Sequence, residues 1–349
     1  MIVLEAESAP GYHTTGRSAA QYLETYGNRV IRRLTRASRD FYLSPPEGFA
    51  EHPLLTPRPA LFIAREDQMA ALEAFEREMG EMTPSIERLS PDRVTALVPV
   101  VRSDYVAAGV IEPDAMDIDV NGLHQGYLKG LRQRGGEVVV KAEVSTLARH
   151  GATWEVASKA GAFSAPIVVN AAGAWSDEVG RLAGARDIGL VPKRRTVITF
   201  DGPEGVDVQP WPIIADIEES FYFKPETGRL LASPADETPM PPCDVQPDEL
   251  DIATTVDRIE KATTLQVRRI AHKWAGLRSF VADKSLVIGF DDQAEGFFWL
   301  AGQGGYGFQT APAAAHTAAS LLTAGALPED VAALGLEAAE IAPGRLAAA

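Results

Sequence analysis

The chain opens on an apolar strand, Ile2-Val3-Leu4, that ends in Glu5 and runs into the loop Pro10-Gly11-Tyr12-His13-Thr14-Thr15-Gly16-Arg17-Ser18. In a dinucleotide-binding βαβ unit the second strand ends in an acidic residue that hydrogen-bonds the adenosine ribose. That residue follows the Gly-rich pyrophosphate turn by about 20 residues. Glu5 fits the acidic position, yet no GxGxxG occurs between a strand and a helix elsewhere in the chain. The expectation is a doubly wound unit whose first strand, turn and helix precede Met1 in the natural product, with the start assigned too far downstream. Without them the Ile2 strand would lack its inner neighbour and the chain would fold poorly.

The loop is rich in Gly, Thr and Ser and offers backbone N–H groups and hydroxyls to an anion or a polar ring edge. From Arg17 to Ser38 the spacing of Tyr22, Tyr26, Val30, Leu34 and Ala37 predicts one long helix, closed by Pro45-Pro46.

Several ordered blocks follow along the chain. They include His52-Pro-Leu-Leu-Thr-Pro-Arg58-Pro59, Leu123-His-Gln-Gly-Tyr-Leu128, Val169-Asn-Ala-Ala-Gly173-Ala-Trp175 and Pro192-Lys-Arg-Arg195. Ser220-Phe-Tyr222, Trp274-Ala-Gly-Leu-Arg278-Ser-Phe280 and Glu295 to Gln309 complete the set. With the Gly11 to Ala20 loop, these blocks resemble the D-amino-acid oxidase superfamily of FAD flavoproteins, and within it the D-arginine dehydrogenase type of D-amino-acid dehydrogenase. The resemblance runs nearly end to end.

It implies a Rossmann-like α/β FAD-binding domain, its first βα missing, interleaved with a β-rich α+β substrate domain. The expected boundaries are 1–44, 116–190 and 281–349 for the FAD side and 45–115 with 191–280 for the substrate side. Length agrees, since 349 residues exceed the usual single core.

Local signals place the elements. Ala60 to Ala64 reads as a strand, and Asp67 to Gly80 as an amphipathic helix. Ser90-Pro91 starts a short helix as N-cap and N1. A helix from Asp119 to Arg134 stops at Gly135-Gly136 before a strand from Glu137 to Lys141. Strands from Val144 to Ala148 and Trp154 to Ala157 flank a turn at Gly151. Tyr222 to Lys224, Leu230 to Ala232 and Val267 to Ile270 are further strands, and from Ala332 onward a surface helix and frayed tail are expected. No stretch approaches the ~20 apolar residues of a spanning helix.

The only cysteine, Cys243, lies in a Pro-rich stretch and reads as a loop thiol. Its solitude excludes an intrachain disulfide and points to a reducing, cytoplasmic compartment. The net charge of −15 argues against a nucleic-acid partner. The basic run Arg29 to Arg39 reads as a solvated helix face. No metal is expected.

Oxidising an α-amino acid at Cα requires that carbon to sit over the flavin, and a guanidinium fork on the carboxylate sets the orientation. Arg278 and Arg195 are the candidates; for Arg195 a surface strand position beside Lys193 and Arg194 is the competing reading. Tyr222 could place its hydroxyl on the same carboxylate, and the resemblance gives Tyr26 the role of covering the substrate, although on sequence alone each tyrosine reads more readily as core and only the resemblance reverses that. Gly302-Gln-Gly-Gly-Tyr-Gly307 joins a strand, Phe297 to Ala301, to a helix from Phe308 to Ala324. Its N-terminus suits negative charge developing on a reduced flavin, with Gly305 and Gln309 nearest the substrate. A tight structural turn would look similar.

Against FAD the resemblance sets Glu5, Gly16, Arg17, Ser18, Ala19, Val144, Ala172, Gly173, Trp175, Gly304, Gly305, Tyr306, Gly307 and Phe308. The implied reaction is hydride transfer from Cα of a neutral-amine D-amino acid to FAD, with quinone or oxygen as electron acceptor and hydrolysis of the imino acid to the 2-oxo acid and ammonia. No general base is assigned. Three positions depart from the D-arginine pattern: Ala60 replaces an acidic residue, Gln21 a histidine and Leu23 a threonine. Without the acid, a cationic side chain would lose on the order of 2 to 4 kcal/mol in a dry pocket, so neutral or apolar D-amino acids are expected. A 2-hydroxy-acid or amino-acid oxidase, and a flavin-free remnant, remain as alternatives.

Overall fold

The computed structural model describes residues 1–346. The chain runs β1 (Ile2–Leu4), β2 (Gln21–Tyr22), α1 (Arg29–Leu43), β3 (Leu55–Pro57), β4 (Ala60–Ala64), α2 (Met69–Gly80), β5 (Glu87–Leu89) and α3 (Pro91–Leu97). Next come β6 (Ala108–Glu112), β7 (Met116–Ile118), α4 (Val120–Gln133), β8 (Glu137–Val139), the antiparallel β9 (Val144–His150), β10 (Thr153–Ser158) and β11 (Gly161–Ala165), then β12 (Val168–Asn170) and α5 (Ser176–Leu182). The remainder holds β13 (Val191–Phe200), β14 (Ile213–Asp216), β15 (Tyr222–Glu226), β16 (Arg229–Ser233), β17 (Thr238–Pro239), α6 (Glu249–Ala262), β18 (Ile270–Phe280), β19 (Val287–Phe290), β20 (Phe297–Ala301), α7 (Gly307–Thr323) and α8 (Glu329–Ala333).

A nine-stranded sheet draws its strands from both interleaved segments, in the order β17-β13-β16-β15-β14-β4-β6-β5 with β18 also paired to β13. Period-two alternation divides its faces. Leu61, Ile63, Ile198, Ile214 and Phe223 enter a core closed by Ile252 and Ile259 of α6, whereas Phe62, Ile213, Tyr222 and Arg195 turn to the other face. Outside this sheet, β1 pairs in parallel with β8, and β12 with β20. Ile2, Val3, Ile167 and Val169 are exposed along the unpaired edges of β1 and β12.

Helices α1 and α7 pack through small residues, Ala313, Ala314 and Ala318 meeting Val30, Ile31 and Leu34. Pro312 interrupts α7 and cannot donate to the Phe308 carbonyl. The Tyr42 hydroxyl donates to that carbonyl instead. Ser38 Oγ accepts from Ala313 N at 3.1 Å, and Thr35 Oγ1 accepts from Gln309 Nε2 at 2.8 Å. Thr35, Ser38 and Tyr42 thus form a polar ladder on one face of α1.

Three expectations need correction, and one helix lay outside them. The first helix spans Arg29–Leu43, not Arg17 to Ser38, because Gly27 takes φ +93° and Asn28 caps at 3.0 Å from Ile31 N. Before it, Gln21 and Tyr22 are extended and pair with β7. The strand expected over Val267 to Ile270 instead starts at Ile270 and runs to Phe280. Helix α6 was not foreseen, although Asp248 as N-cap with Glu249 and Asp251 in the first turn is a legible start signal. Beyond Ala332 the chain is not a frayed surface tail. Leu336 and Ile341 are buried, and the Ile341 carbonyl accepts from Ile288 N at 2.8 Å. The part of that tail from 347 to 349 lies outside the described residues.

Candidate active site

Three cavities join end to end where β18, the Gly11 to Ala20 loop and the Gly302 to Gly307 loop meet. The first, about 540 Å³, is lined by Glu5, Val144, Ala172, Gly173 and Trp175. It shares Thr14, Thr15, Arg17, Gly173, Gly276 and Leu277 with a second of about 350 Å³, which Ser18, Ala19, Gly304, Gly307 and Phe308 also line. The second opens into a third of about 100 Å³ through Ser18, Arg195, Tyr222, Arg278, Gly305 and Phe308. Tyr26 and Gln309 line only the third.

The loop wall is stapled to β18. Thr14 Oγ1 donates to the Leu277 carbonyl at 2.8 Å, Arg17 Nη1 to the Val245 and Ala275 carbonyls at 3.1 Å each, and Trp274 Nε1 to the Arg17 carbonyl at 3.0 Å. Arg17 also pairs with Asp244. Its charge is therefore consumed by the protein, and it acts as part of the wall. Gly16 does not line the crevice: a Cβ there would meet the Gly11 carbonyl at 2.6 Å, so it serves the loop itself. Tyr306 likewise packs in the core against Tyr26 and Phe280.

At the junction of the second and third cavities Arg278 has one protein hydrogen bond, Nη1 to Tyr26 Oη at 3.2 Å. Among the described residues no carboxylate lies within ion-pairing distance of it. A guanidinium so placed is costly unless an anion completes its fork. Tyr222 projects beside it, and its buried hydroxyl has no partner. Arg195 is only 5% exposed, which removes the surface reading, but its Nε already donates to the Asp236 carbonyl at 2.9 Å and Glu237 lies 3.6 Å from its Nη2. Burial raises the Tyr26 hydroxyl above its ordinary range, so it stays neutral.

Gln309 donates to the Tyr26 carbonyl at 3.2 Å as well as to Thr35, holding α7 against the turn that carries Tyr26. Leu23, Phe62, Ile213, Ala215 and Phe221 make most of the remaining wall of the third cavity apolar, and Gln21 adds an amide to it. Among the described residues Glu219, at φ +56°, is the sole carboxylate lining it, and no histidine does. Ala60 is buried beside Leu23, Phe62 and Ile213.

Beside this cavity lies a polar group centred on the partly buried Asp117. Asp117 accepts from Lys224 Nζ at 2.7 Å, Arg58 Nε at 2.8 Å and Gln21 Nε2 at 3.2 Å. Burial alone would raise its carboxyl, but Lys224 and Arg58 hold it below the usual range. Glu112, by contrast, is pushed up to about 7 by burial.

The crevice suits a flat, elongated cofactor. Nothing lies within 4 Å of a Cβ built on Gly173, whose open side faces the cavities. A Cβ on Gly304 would meet Phe280 at 2.5 Å, and one on Gly305 would meet Arg278 Nη1 at 2.7 Å, so only glycine lets this loop press on the wall. The first turn of α7 aims its N–H groups at the second cavity with no side-chain cap. Glu5 Oε1 accepts from Glu7 N at 2.9 Å. Residues outside the expected cofactor set also line the walls: Thr14, Thr15, Gly276, Cys243, and His13, whose ring lies tilted 4.8 Å from that of Trp175 and which bonds Glu7 Oε1 at 2.9 Å. Of these Thr14 and Thr15 carried a signal as hydroxyls of the Gly- and Thr-rich loop, and Gly276 as a glycine inside an apolar strand.

A sequence model of the family described as FAD dependent oxidoreductase (DAO) matches residues 1–321. Mitochondrial dimethylglycine dehydrogenase of Rattus norvegicus is 32% identical over 149 residues, 42% of this chain and 17% of that protein. The chain therefore spans far less than two thirds of that relative. Among solved structures, L-proline dehydrogenase from P. horikoshii superposes with a TM-score of 0.79 at 18% identity, over 99% of this chain and 90% of that one. An L-alpha-glycerophosphate oxidase from Mycoplasma pneumoniae with FAD bound gives 0.80 at 16% identity, over 92% and 88%. At these identities the likeness is one of fold.

Proposed function

The chain belongs to the FAD dependent oxidoreductase family, and on that premise we propose that it oxidises amino acids at Cα, with D-amino acids of neutral or apolar side chain as substrates. The observation that carries the reading is Arg278, a guanidinium without a protein counter-ion where an apolar cavity meets the cofactor crevice. An α-carboxylate is the anion such a fork takes bidentately. FAD supplies the hydride acceptor when bound. Glu5, Val144, Ala172, Gly173, Trp175, Gly304, Gly307 and Phe308 would hold it, all of them on the first two cavities.

Arg278 binds the carboxylate and the Tyr222 hydroxyl donates to it, so two fixed points set the Cα–H direction. Tyr26 covers the substrate and excludes water. Gly305 admits the backbone close to the reacting carbon. The cavity presents no histidine base, so the substrate reacts as the neutral amine, its nitrogen lone pair forming C=N as the hydride leaves. Water then hydrolyses the imino acid to the 2-oxo acid and ammonia, and a quinone or oxygen takes up the electrons. The same reading assigns 45–115 and 191–280 to the substrate side of the molecule.

Side-chain preference rests on Leu23, Phe62, Ile213 and Phe221, and on Ala60 in place of an acid. D-configuration rests on the resemblance of the ordered motifs. Glu219 favours a second reading, in which a cationic side chain reaches the cavity mouth. Anaerobic addition of D-leucine, L-leucine and D-arginine to the FAD-loaded chain tests both. Bleaching by D-leucine first supports the main reading, bleaching by D-arginine first the second, and bleaching by L-leucine alone overturns both.

A further inference from the structure

We propose that Glu112 is a positioning residue for the turn that carries Leu23 and Tyr26 into the substrate cavity, an assignment that rests on the reading of that cavity as the amino-acid site. Glu112 ends β6 and is 1% exposed. It is the cross-strand partner of Ala60, so the two side chains share the face that Leu23 packs against. Its Oε1 accepts from Glu24 N at 2.7 Å, and its Oε2 accepts from Thr25 Oγ1 and, at 3.4 Å, from Thr25 N.

One carboxylate thus collects donors from two consecutive residues set between Leu23 and Tyr26. The turn has little else to hold it in place on this side. It precedes α1, whose hydrogen bonding begins only at Asn28, and Gly27 at φ +93° breaks the backbone between them. On its far side Gln309 holds the Tyr26 carbonyl, and Asn28 Nδ2 donates to the Asp283 carbonyl at 3.0 Å. The charged neighbour facing Glu112 is Glu24, whose side chain turns away to Tyr22 Oη at 2.9 Å and to Arg36 and Arg39. A buried carboxylate is a costly way to stitch a loop unless the position of that loop matters. Here it sets where the roof and one wall of the substrate cavity stand.

The test uses the FAD-loaded chain with Glu112→Ala and Glu112→Gln. In Glu112→Ala, amides 24–27 should exchange with solvent faster and KM for D-leucine should rise roughly tenfold, as expected for one lost buried acceptor. The limiting rate of flavin reduction and the flavin spectrum should stay close to the parent's. Glu112→Gln, which keeps one acceptor, should recover most of the loss. Unchanged exchange at 24–27, or a lower melting temperature with KM unmoved, overturns the assignment. Should Glu112→Ala fail to fold, Thr25→Val removes the bond from the other partner and is read the same way. If the parent reduces with no amino acid, the substrate reading fails, and amide exchange alone still decides the role of Glu112.

Discussion

Arg278 Nη1 donates to Tyr26 Oη at 3.2 Å, and among the described residues this is the sole protein hydrogen bond made by the guanidinium that faces the third cavity. The two side chains lie some 250 residues apart in sequence, one near the C-terminal end of β18 and the other in a turn ahead of α1. Their contact makes the anchor and the roof of the cavity a single unit.

Replacing Arg278 by Met should raise KM and lower kcat/KM by about a hundredfold or more, the scale of a lost bidentate charge pair. FAD affinity should fall by a much smaller factor, because Arg278 reaches the crevice only where the second cavity meets the third and does not line the first, where Glu5 and Trp175 lie. Steady-state kinetics with a flavin titration measure both, and equal losses would remove Arg278 from the carboxylate role.

Substrate preference follows from the cavity walls. kcat/KM for D-leucine or D-methionine should exceed that for D-arginine, since Ala60 offers no charge and Leu23, Phe62 and Ile213 are apolar. Glu219→Gln should lower the value for D-arginine and leave that for D-leucine unchanged. A parent enzyme that prefers D-arginine would contradict the apolar assignment.

Glu112 makes stability depend on pH. Burial pushes its carboxyl up to about 7 from an ordinary 4.5, so between those values the native chain keeps a proton that the unfolded chain has released. Stability from this group is then full below about 4.5 and falls as pH rises through 7, by about 3 kcal/mol in all. Asp177, pushed up to about 6 by burial, acts in the same direction, so the comparison must be between parent and variant. Denaturant titrations of Glu112→Gln across that range should show a flatter slope than the parent, and parallel slopes would refute the linkage.

Tyr42→Phe should cost about 1–3 kcal/mol, because the Phe308 carbonyl that Pro312 leaves unpaired loses its donor in a buried setting. Phe308 lines the second and third cavities, so the same variant should also weaken flavin or substrate binding. Chemical denaturation gives the first quantity, and a variant as stable as the parent would show that water replaces the hydroxyl.

Local rules recovered much of the fold because they act over a few residues. Ser90 caps α3 and accepts from Arg93 N, Asp119 caps α4, Gly135 ends it in the left-handed region, and Ala60 to Ala64 is a strand with the bounds read from sequence. The same rules misplaced the start of α1. Tyr22 and Tyr26 have helical spacing with Val30, but Tyr22 pairs with Met116 and the carboxylate of Glu112 claims the amides of Glu24 and Thr25. Those partners lie some ninety residues away, beyond the reach of any window.

By itself the sequence determined the alternating α/β plan, most caps and turns, and the set of arginines, tyrosines and glycines from which the site is built. Only the tertiary structure decided how they are used. Arg17 is spent on Asp244 and two carbonyls, Arg195 is half satisfied by Asp236, and Arg278 alone faces the cavity with its fork open. The reason is electrostatic: residue type fixes the charge, whereas the availability of that charge depends on which distant carboxylates and carbonyls the fold brings within bonding distance.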